Sequence, residues 1–511
     1  MEKIIKRVFC GLSLGLLTTL SSCVVNSDNP TMPQEPGSYK VMVISDIHLF
    51  DMDRISHEGE AWEQRLLLED KNYTYCAASM EALVQKVKSQ NVKYVIIPGD
   101  LTKDGEVINH EFAASFFRKM EDAGAKVFVI NGNHDLSNAD AKEFTAKGAF
   151  PIETATSADF KRIYHDFGYA EAISQETEGL SYSVDMGRDI RLIMLDSNIY
   201  NDSKTNPHQE TAGTLKPSTM AWAKEQCAKA IAEGRTPVGV LHHGLVEHIP
   251  NIQTVFLSEF LADNYKEARR ELAAAGMHIV LTGHNHAQDI ASVEEDGKPF
   301  YDIQTGSLVT LCPLRYIDID SEKRTMSLES QVIDQLADGT KLFETLLEKS
   351  FWGTRRNFMQ LIESNLRKMG YAGEKLEATM QMLTTLPVSH DGSYLLLDAL
   401  ADAYLVHRQG DESMTEKVQE VCSILQGYAD LTSMSGDTAT AQLLLMIKNL
   451  YAGLYVDSPS ADNTLVISYL LNYPHPFLGQ RGSARIRGTG SSRARVKLPR
   501  STRPCSACLF F

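Results

Sequence analysis

From Tyr39 to Asp320, short apolar runs alternate with apolar stripes at helical spacing. That pattern predicts βαβ units around a largely buried sheet. Strands are expected at residues 40–45, 93–97, 126–130, 191–195, 237–241 and 278–281. Met80, Leu83, Val84 and Val87 form a helical stripe between the first two strands. Phe112, Phe116 and Met120 form another between the next two, with Gly124 as its stop. Five strands run directly into polar residues: Ser45-Asp46, Pro98-Gly99-Asp100, Asn131-Gly132-Asn133, His242-His243 and Thr282-Gly283-His284. Ligands of α/β sheets gather beyond the carboxyl ends of the strands, so the recurrence predicts one shared site.

Beyond Asp320 the period changes to that of helices. Phe358, Ile362, Leu366 and Met369 repeat at helical spacing and stop at Gly370; Val418, Val421, Cys422 and Leu425 do the same; residues 441–454 read as a buried helix. Residues 329–474 are therefore expected to form a separate α-helical domain, a packing or partner-binding module without chemistry of its own. Trp62, Trp222 and Trp352 are expected as core or lid aromatics. The charge-dense stretch 51–69 reads as solvated surface, with a loop over the site as the alternative.

Length and composition add bounds. A chain of 511 residues exceeds one typical domain, and 43% hydrophobic with 23% charged residues is ordinary for a globular protein with a sizeable core. A net charge of −16 disfavours a polyanionic partner, so no nucleic acid is expected. Lys3, Lys6 and Arg7 precede an apolar stretch at 8–20, then Leu20-Ser21-Ser22-Cys23, which resembles a bacterial lipobox. The expectation is a signal peptide over 1–23 with Cys23 lipidated, a flexible tether over 24–38, and an exported bacterial lipoprotein anchored on a periplasmic or cell-surface membrane. A plain secretory signal with an incidental cysteine is the rival reading. Residues 479–511 carry Arg and Lys without any acidic residue. They read as a disordered tail or an out-of-frame end, rather than as a basic arm or half a zinc site at Cys505 and Cys508. Cys76, Cys227, Cys312 and Cys422 are expected as buried free thiols.

The candidate chemistry lies in motifs of fixed order: Asp46-Ile47-His48, Gly99-Asp100, Gly132-Asn133-His134-Asp135, His242-His243 and Gly283-His284-Asn285-His286. Each alone is weak; together, each at a strand end, they form a constellation. The set resembles the signature of calcineurin-like metallophosphoesterases over roughly Val41 to Tyr316. The resemblance implies a catalytic domain at 39–320 with two β-sheets packed face to face and helices outside, strands near Tyr182, 300–304 and 316–319 filling the second sheet.

It also implies two divalent or trivalent ions, because carboxylates, amide carbonyls and neutral imidazoles suit iron, manganese or zinc alike. One ion would take Asp46, His48, Asp100 and His286; the other would take Asp100, Asn133, His242 and His284, with Asp100 as the bridge. His243 remains open as an alternative to His242. The implied reaction is hydrolysis of phosphate mono- or diesters by a hydroxide held between the ions. His134 is expected to contact the phosphate and protonate the leaving group, and Asp135 to orient it or, alternatively, to stabilise the turn. Asp196 is a candidate to support the site or cap a turn. His208, His248 and His278 read as surface or packing residues. The rival functions are a nucleotide phosphodiesterase or nuclease, and a non-catalytic lipid-anchored surface protein that binds a partner through its helices.

Overall fold

The computed structural model describes residues 37–69, 71–201, 210–410, 412–456 and 463–469. The expected signal peptide with Cys23, nearly all of the tether, the basic tail and His208 lie outside the described residues.

The chain enters through β1 (Ser38–Val43), β2 (Val92–Pro98) and β3 (Lys126–Ile130), which pair in parallel. A hairpin of β4 (Lys142–Thr145) and β5 (Gly148–Pro151) follows. A second sheet is then built from β6 (Ser174–Gln175), β7 (Tyr182–Met186), β8 (Ile190–Leu195), β9 (Thr236–Leu241), β10 (Ile279–Thr282), β11 (Ile290–Glu295) and β12 (Lys298–Gln304). Then β13 (Pro313–Asp320) and β14 (Thr325–Val332) return to the first sheet, antiparallel to β1 and to each other. β15 (Thr464–Ser468) completes that sheet, in the order β15-β14-β13-β1-β2-β3. The second sheet runs β11-β12-β10-β9-β8-β7-β6.

The fold is a mixed α/β architecture of two sheets flanked by helices, with a helical region towards the C-terminus. Alternation along the strands explains the layers. In β8, Leu192 and Met194 join the cluster that also holds Val41, Val43, Val95 and Ile97 of the first sheet. Their neighbours Ile193 and Leu195 face the other way, onto Met220, Ala223 and Cys227 of the helix Pro217–Ala232. A side-chain period of two thus buries both faces of one strand.

Five helices lie between β14 and β15 among the described residues: Leu342–Lys368, Gly373–Thr385, Leu396–His407, Glu416–Met434 and Thr438–Gly453. They share one hydrophobic cluster, in which Phe358, Ile362, Leu366, Val418, Val421 and Leu425 meet Ile249 and Ile252 from the segment after β9. Because β14 and β15 are adjacent and antiparallel, both ends of the helical region are pinned to one sheet edge. Trp352 departs from expectation: it is 58% exposed, whereas Trp62 is buried. The stretch 51–69 is largely solvated as expected, with Asp53, Arg54, Glu58, Glu60 and Glu63 exposed, but it also has a packed side. It contains the helix Glu60–Leu68, and Phe50, Ile55 and Trp62 pack with Tyr73 and Phe144, the Phe50 and Trp62 rings stacking at 5.4 Å. Its charges mask an apolar period too short to stand out. Cys76, Cys227 and Cys312 are buried free thiols and Cys422 is half-buried. Among the described residues, no helix is long and apolar enough to cross a membrane.

Candidate metal centre

The strand-end motifs leave the sheets through tight turns. Asp46, His48, Asp100, His284 and His286 all have left-handed backbones, with φ of 49°, 38°, 51°, 74° and 59°. Each costs about 1–3 kcal/mol in a non-glycine residue and persists only where surrounding contacts hold it. Those contacts are present: Asp46 N–H donates to Gly99 O at 3.2 Å and His48 N–H to Asp100 O at 3.0 Å. The Ser307 hydroxyl donates to Asp46 O at 2.9 Å. The motif glycines answer to close approach. A Cβ on Gly132 would overlap the Asp100 backbone nitrogen and carboxylate, and one on Gly283 would overlap Ser45 and the Asp46 carboxylate.

Two ligand sets result. The donor atoms of Asp46, His48, Asp100 and His286 lie within 4.8 Å of one another, as do those of Asp100, His242 and His284. Asp100 is common to both: its Oδ2 is 3.5 Å from His48 Nε2 and 3.4 Å from His242 Nε2. Asn133 joins the second set, its Oδ1 lying 3.0 Å from His242 Nε2. In the first, His48 Nε2 and His286 Nε2 face each other at 3.2 Å.

The adjacent pair His242-His243 is separated by its neighbours. His243 spends both ring nitrogens on the protein, at Ser197 Oγ (2.8 Å) and Thr211 O (3.0 Å). His242 Nδ1–H donates to Pro98 O at 2.9 Å, which leaves Nε2 for the site.

Electrostatics differs among the imidazoles: burial would lower His242, but the Asp100 carboxylate pushes it up to about 9, whereas two others are lowered. Burial, then the Lys71 ammonium, pushes the His48 imidazole well below its ordinary range. Burial, then His243 and His242, does the same to His284. Both are thereby neutral, the ligating form. Burial would raise the Asp100 carboxyl, but the facing His242 imidazole, raised itself, overrides it and holds it well below the carboxylate range.

His134 sits at the rim, its N–H donating to Asp100 Oδ1 at 2.9 Å. The expectation that Asp135 orients it needs correction. The His134 Nδ1 partner is Asp104, whose Oδ1 is 3.0 Å away. The Asp135 carboxylate instead accepts from the N–H groups of Gly132 (2.8 Å), Thr102 (3.0 Å) and Leu101 (3.1 Å) and from the Thr102 hydroxyl at 2.9 Å. It stitches two site loops together, the alternative turn-stabilising role. Burial, then the Asp100 charge, pushes its carboxyl up to about 7.

Asp104 escaped the sequence reading because Lys103-Asp104-Gly105-Glu106 looks like a solvated charge run, yet all four residues are buried. Burial would raise the Asp104 carboxyl, but its salt bridge to Lys103, then His134 and Arg65, hold it well below its ordinary range. Lys71 also escaped, lacking any motif; its Nζ lies 3.2 Å from His134 Nε2 and 3.4 Å from His48 Nδ1.

Asp196 supports a neighbouring loop, accepting from Asn131 Nδ2 at 3.0 Å and from the Tyr200 hydroxyl at 2.9 Å. His248 is neither surface nor simple packing: it is buried against Asp289 (2.8 Å) and Asp302 (3.5 Å). The centre opens into a cavity of about 350 Å³ whose far wall comes from the helical region, at Phe358, Leu361, Tyr404 and Leu450.

The family model described as calcineurin-like phosphoesterase matches residues 39–288. No curated protein matches the chain. Among solved structures, a dimetal phosphatase from Danio rerio is similar at 11% identity and TM-score 0.40, over 57% of this chain and 95% of its own. A purple acid phosphatase from yellow lupin (Lupinus luteus) is similar at 11% identity and TM-score 0.38, over 61% of this chain and 53% of its own. The Haemophilus influenzae NAD nucleotidase is similar at 10% identity and TM-score 0.32, over 69% of this chain and 62% of its own. The chain thus spans less than two thirds of the latter two.

Proposed function

The chain belongs to the calcineurin-like phosphoesterase family through residues 39–288, and on that premise we propose that it hydrolyses phosphate mono- or diesters at a two-metal centre. The observation that carries this reading is the Asp100 carboxylate, common to two ligand sets that each fit one cation. The donor set supports the fit: two carboxylates, four imidazoles and an amide oxygen converge, and paired ring nitrogens at 3.2 Å suit a shared cation. Asp46, His48, Asp100 and His286 would hold one ion, and Asp100, Asn133, His242 and His284 the other. Such ions supply Lewis acidity towards phosphate oxygens and make hydroxide available near neutral pH.

The chain's own residues do the rest. His134 faces the site through Nε2, which accepts from the Lys71 ammonium at 3.2 Å, while Asp104 accepts from Nδ1–H and would stabilise the ring as it takes up and passes on the proton for the departing ester oxygen. Lys71 adds positive charge beside His134, where an anionic phosphate would lie. The iron, manganese and zinc options all accord with this donor set. The reading extends to export and a lipid anchor at Cys23, supported by the Leu20-Ser21-Ser22-Cys23 motif; fatty-acid labelling of wild type and not of Cys23→Ala is the outcome expected.

The test combines metal analysis with hydrolysis of a phosphomonoester and a phosphodiester. Wild type is expected to bind two ions per chain and turn over at least one ester. Asp100→Asn is expected to lose both ions and all turnover. A folded, metal-loaded wild type inert on both esters would favour the surface-binding reading instead.

A further inference from the structure

We infer that the helical region forms a subsite for the organic half of the phosphoester, and that this half is a compact, apolar, aryl-sized group. The inference rests on the hydrolase reading above and deepens it.

The cavity of about 350 Å³ has two unlike ends. One begins at Asp100, His134 and His284. The other is largely apolar: Leu257 and Phe260 on the sandwich side face Phe358, Leu361 and Leu450 from the helices Leu342–Lys368 and Thr438–Gly453, with Thr354, Asn357 and Arg408 of the helical region also in the lining. The two ends are continuous, because the Phe260 ring lies 4.8 Å from that of His284. A phosphate held at the first end therefore directs its ester substituent into the second.

Two contacts tie the apolar wall to the metal loop. The Phe358 ring meets Tyr404 edge-on at 5.7 Å. The Tyr404 hydroxyl in turn lies 3.3 Å from Asn285 Oδ1, on the residue between His284 and His286. Asn285 lines the cavity and is buried, and its Nδ2 has no hydrogen-bond partner among the described residues.

Size and polarity narrow the occupant. The volume is near the lower end for small-molecule sites, which suits a ring-sized group. Positive charge is supplied at the phosphate end, by Lys71 beside His134.

The test uses phosphonates, which share the phosphate-like anion and cannot be hydrolysed. Calorimetry on the metal-loaded full chain compares phenylphosphonate with methylphosphonate, with metal content measured in every sample. Phenylphosphonate is expected to bind about tenfold tighter or more, the scale of burying one ring. Leu361→Trp, which fills the apolar end from a half-buried position, should erase that preference and leave methylphosphonate affinity unchanged. Leu257→Ala, on the opposite wall, should narrow it. Equal affinities in wild type, or a preference that survives both substitutions, would overturn the subsite. Failure of the metal-loaded protein to bind either phosphonate or hydrolyse either ester would overturn the hydrolase reading, and the subsite with it; equal binding of both removes the subsite alone.

Discussion

His134 Nδ1 lies 3.0 Å from Asp104 Oδ1, and both belong to loops that leave neighbouring parallel strands, β3 and β2. A carboxylate behind an imidazole fixes which ring nitrogen carries the proton and stabilises the charged ring. Asp104 is itself held ionised by Lys103 and Arg65.

If that pairing serves proton transfer, His134→Ala should lower kcat by about 10²–10⁴. Asp104→Asn should lower it by a smaller factor and shift the alkaline limb of the pH–rate profile to lower pH. The double variant should be no worse than His134→Ala alone, since both act on one proton. Additive losses in kcat would separate the two residues functionally.

Asp135 makes a contrasting prediction. Its carboxylate satisfies three backbone N–H groups and one hydroxyl in a fully buried loop pair. Asp135→Ala strands those donors, at about 1–3 kcal/mol for each buried group left unpaired. The expected readout is a large fall in melting temperature, in metal-free protein as well as metal-loaded protein. A variant that melts like wild type would show the clamp to be dispensable.

The Gly132 position tests how tightly the ligand loops are packed. Gly132→Ala places a methyl group against the Asp100 backbone and carboxylate, neither of which can swing aside. Metal content is expected to fall below one ion per chain, while Gly124→Ala, which has open space around it, should keep full metal content despite its strained φ of +102°. Equal metal content in both would mean that the loops yield easily.

The buried group around His248 predicts a pH dependence. Burial would lower this imidazole, but Asp289 and Asp302 push it up to about 10. His407, with Glu412 beside it, comes from the helical region and meets the same Asp289. A histidine raised in the folded state contributes stability that is fully present below about 6.5 and is lost as pH rises through about 10. His248→Gln removes the cation that Asp289 and Asp302 share, costing about 3–5 kcal/mol near neutral pH. The gap in unfolding free energy between wild type and variant should shrink from pH 6 to pH 10. A gap constant with pH would mean that His248 is neutral in the folded protein.

What the sequence by itself determined is local: the strand-end motifs at Asp46, Asp100, Asn133, His242 and His284, and the helical stripes at Phe358 and Val418. Both follow from short-range rules, because strand and helix periods and polar residues at strand ends are written within a few residues. What only the tertiary structure decided is which side chains meet across long separations. It set Asp104, not Asp135, behind His134, and it occupied both His243 nitrogens so that His242 faces the site. It also turned the charge run at Lys103 inward and brought Tyr404 over Asn285, so that helices without a motif wall the cavity. The physical reason is that burial and pairing depend on the packing of two sheets and a helical insertion, and a residue's own neighbours in sequence carry no record of that packing.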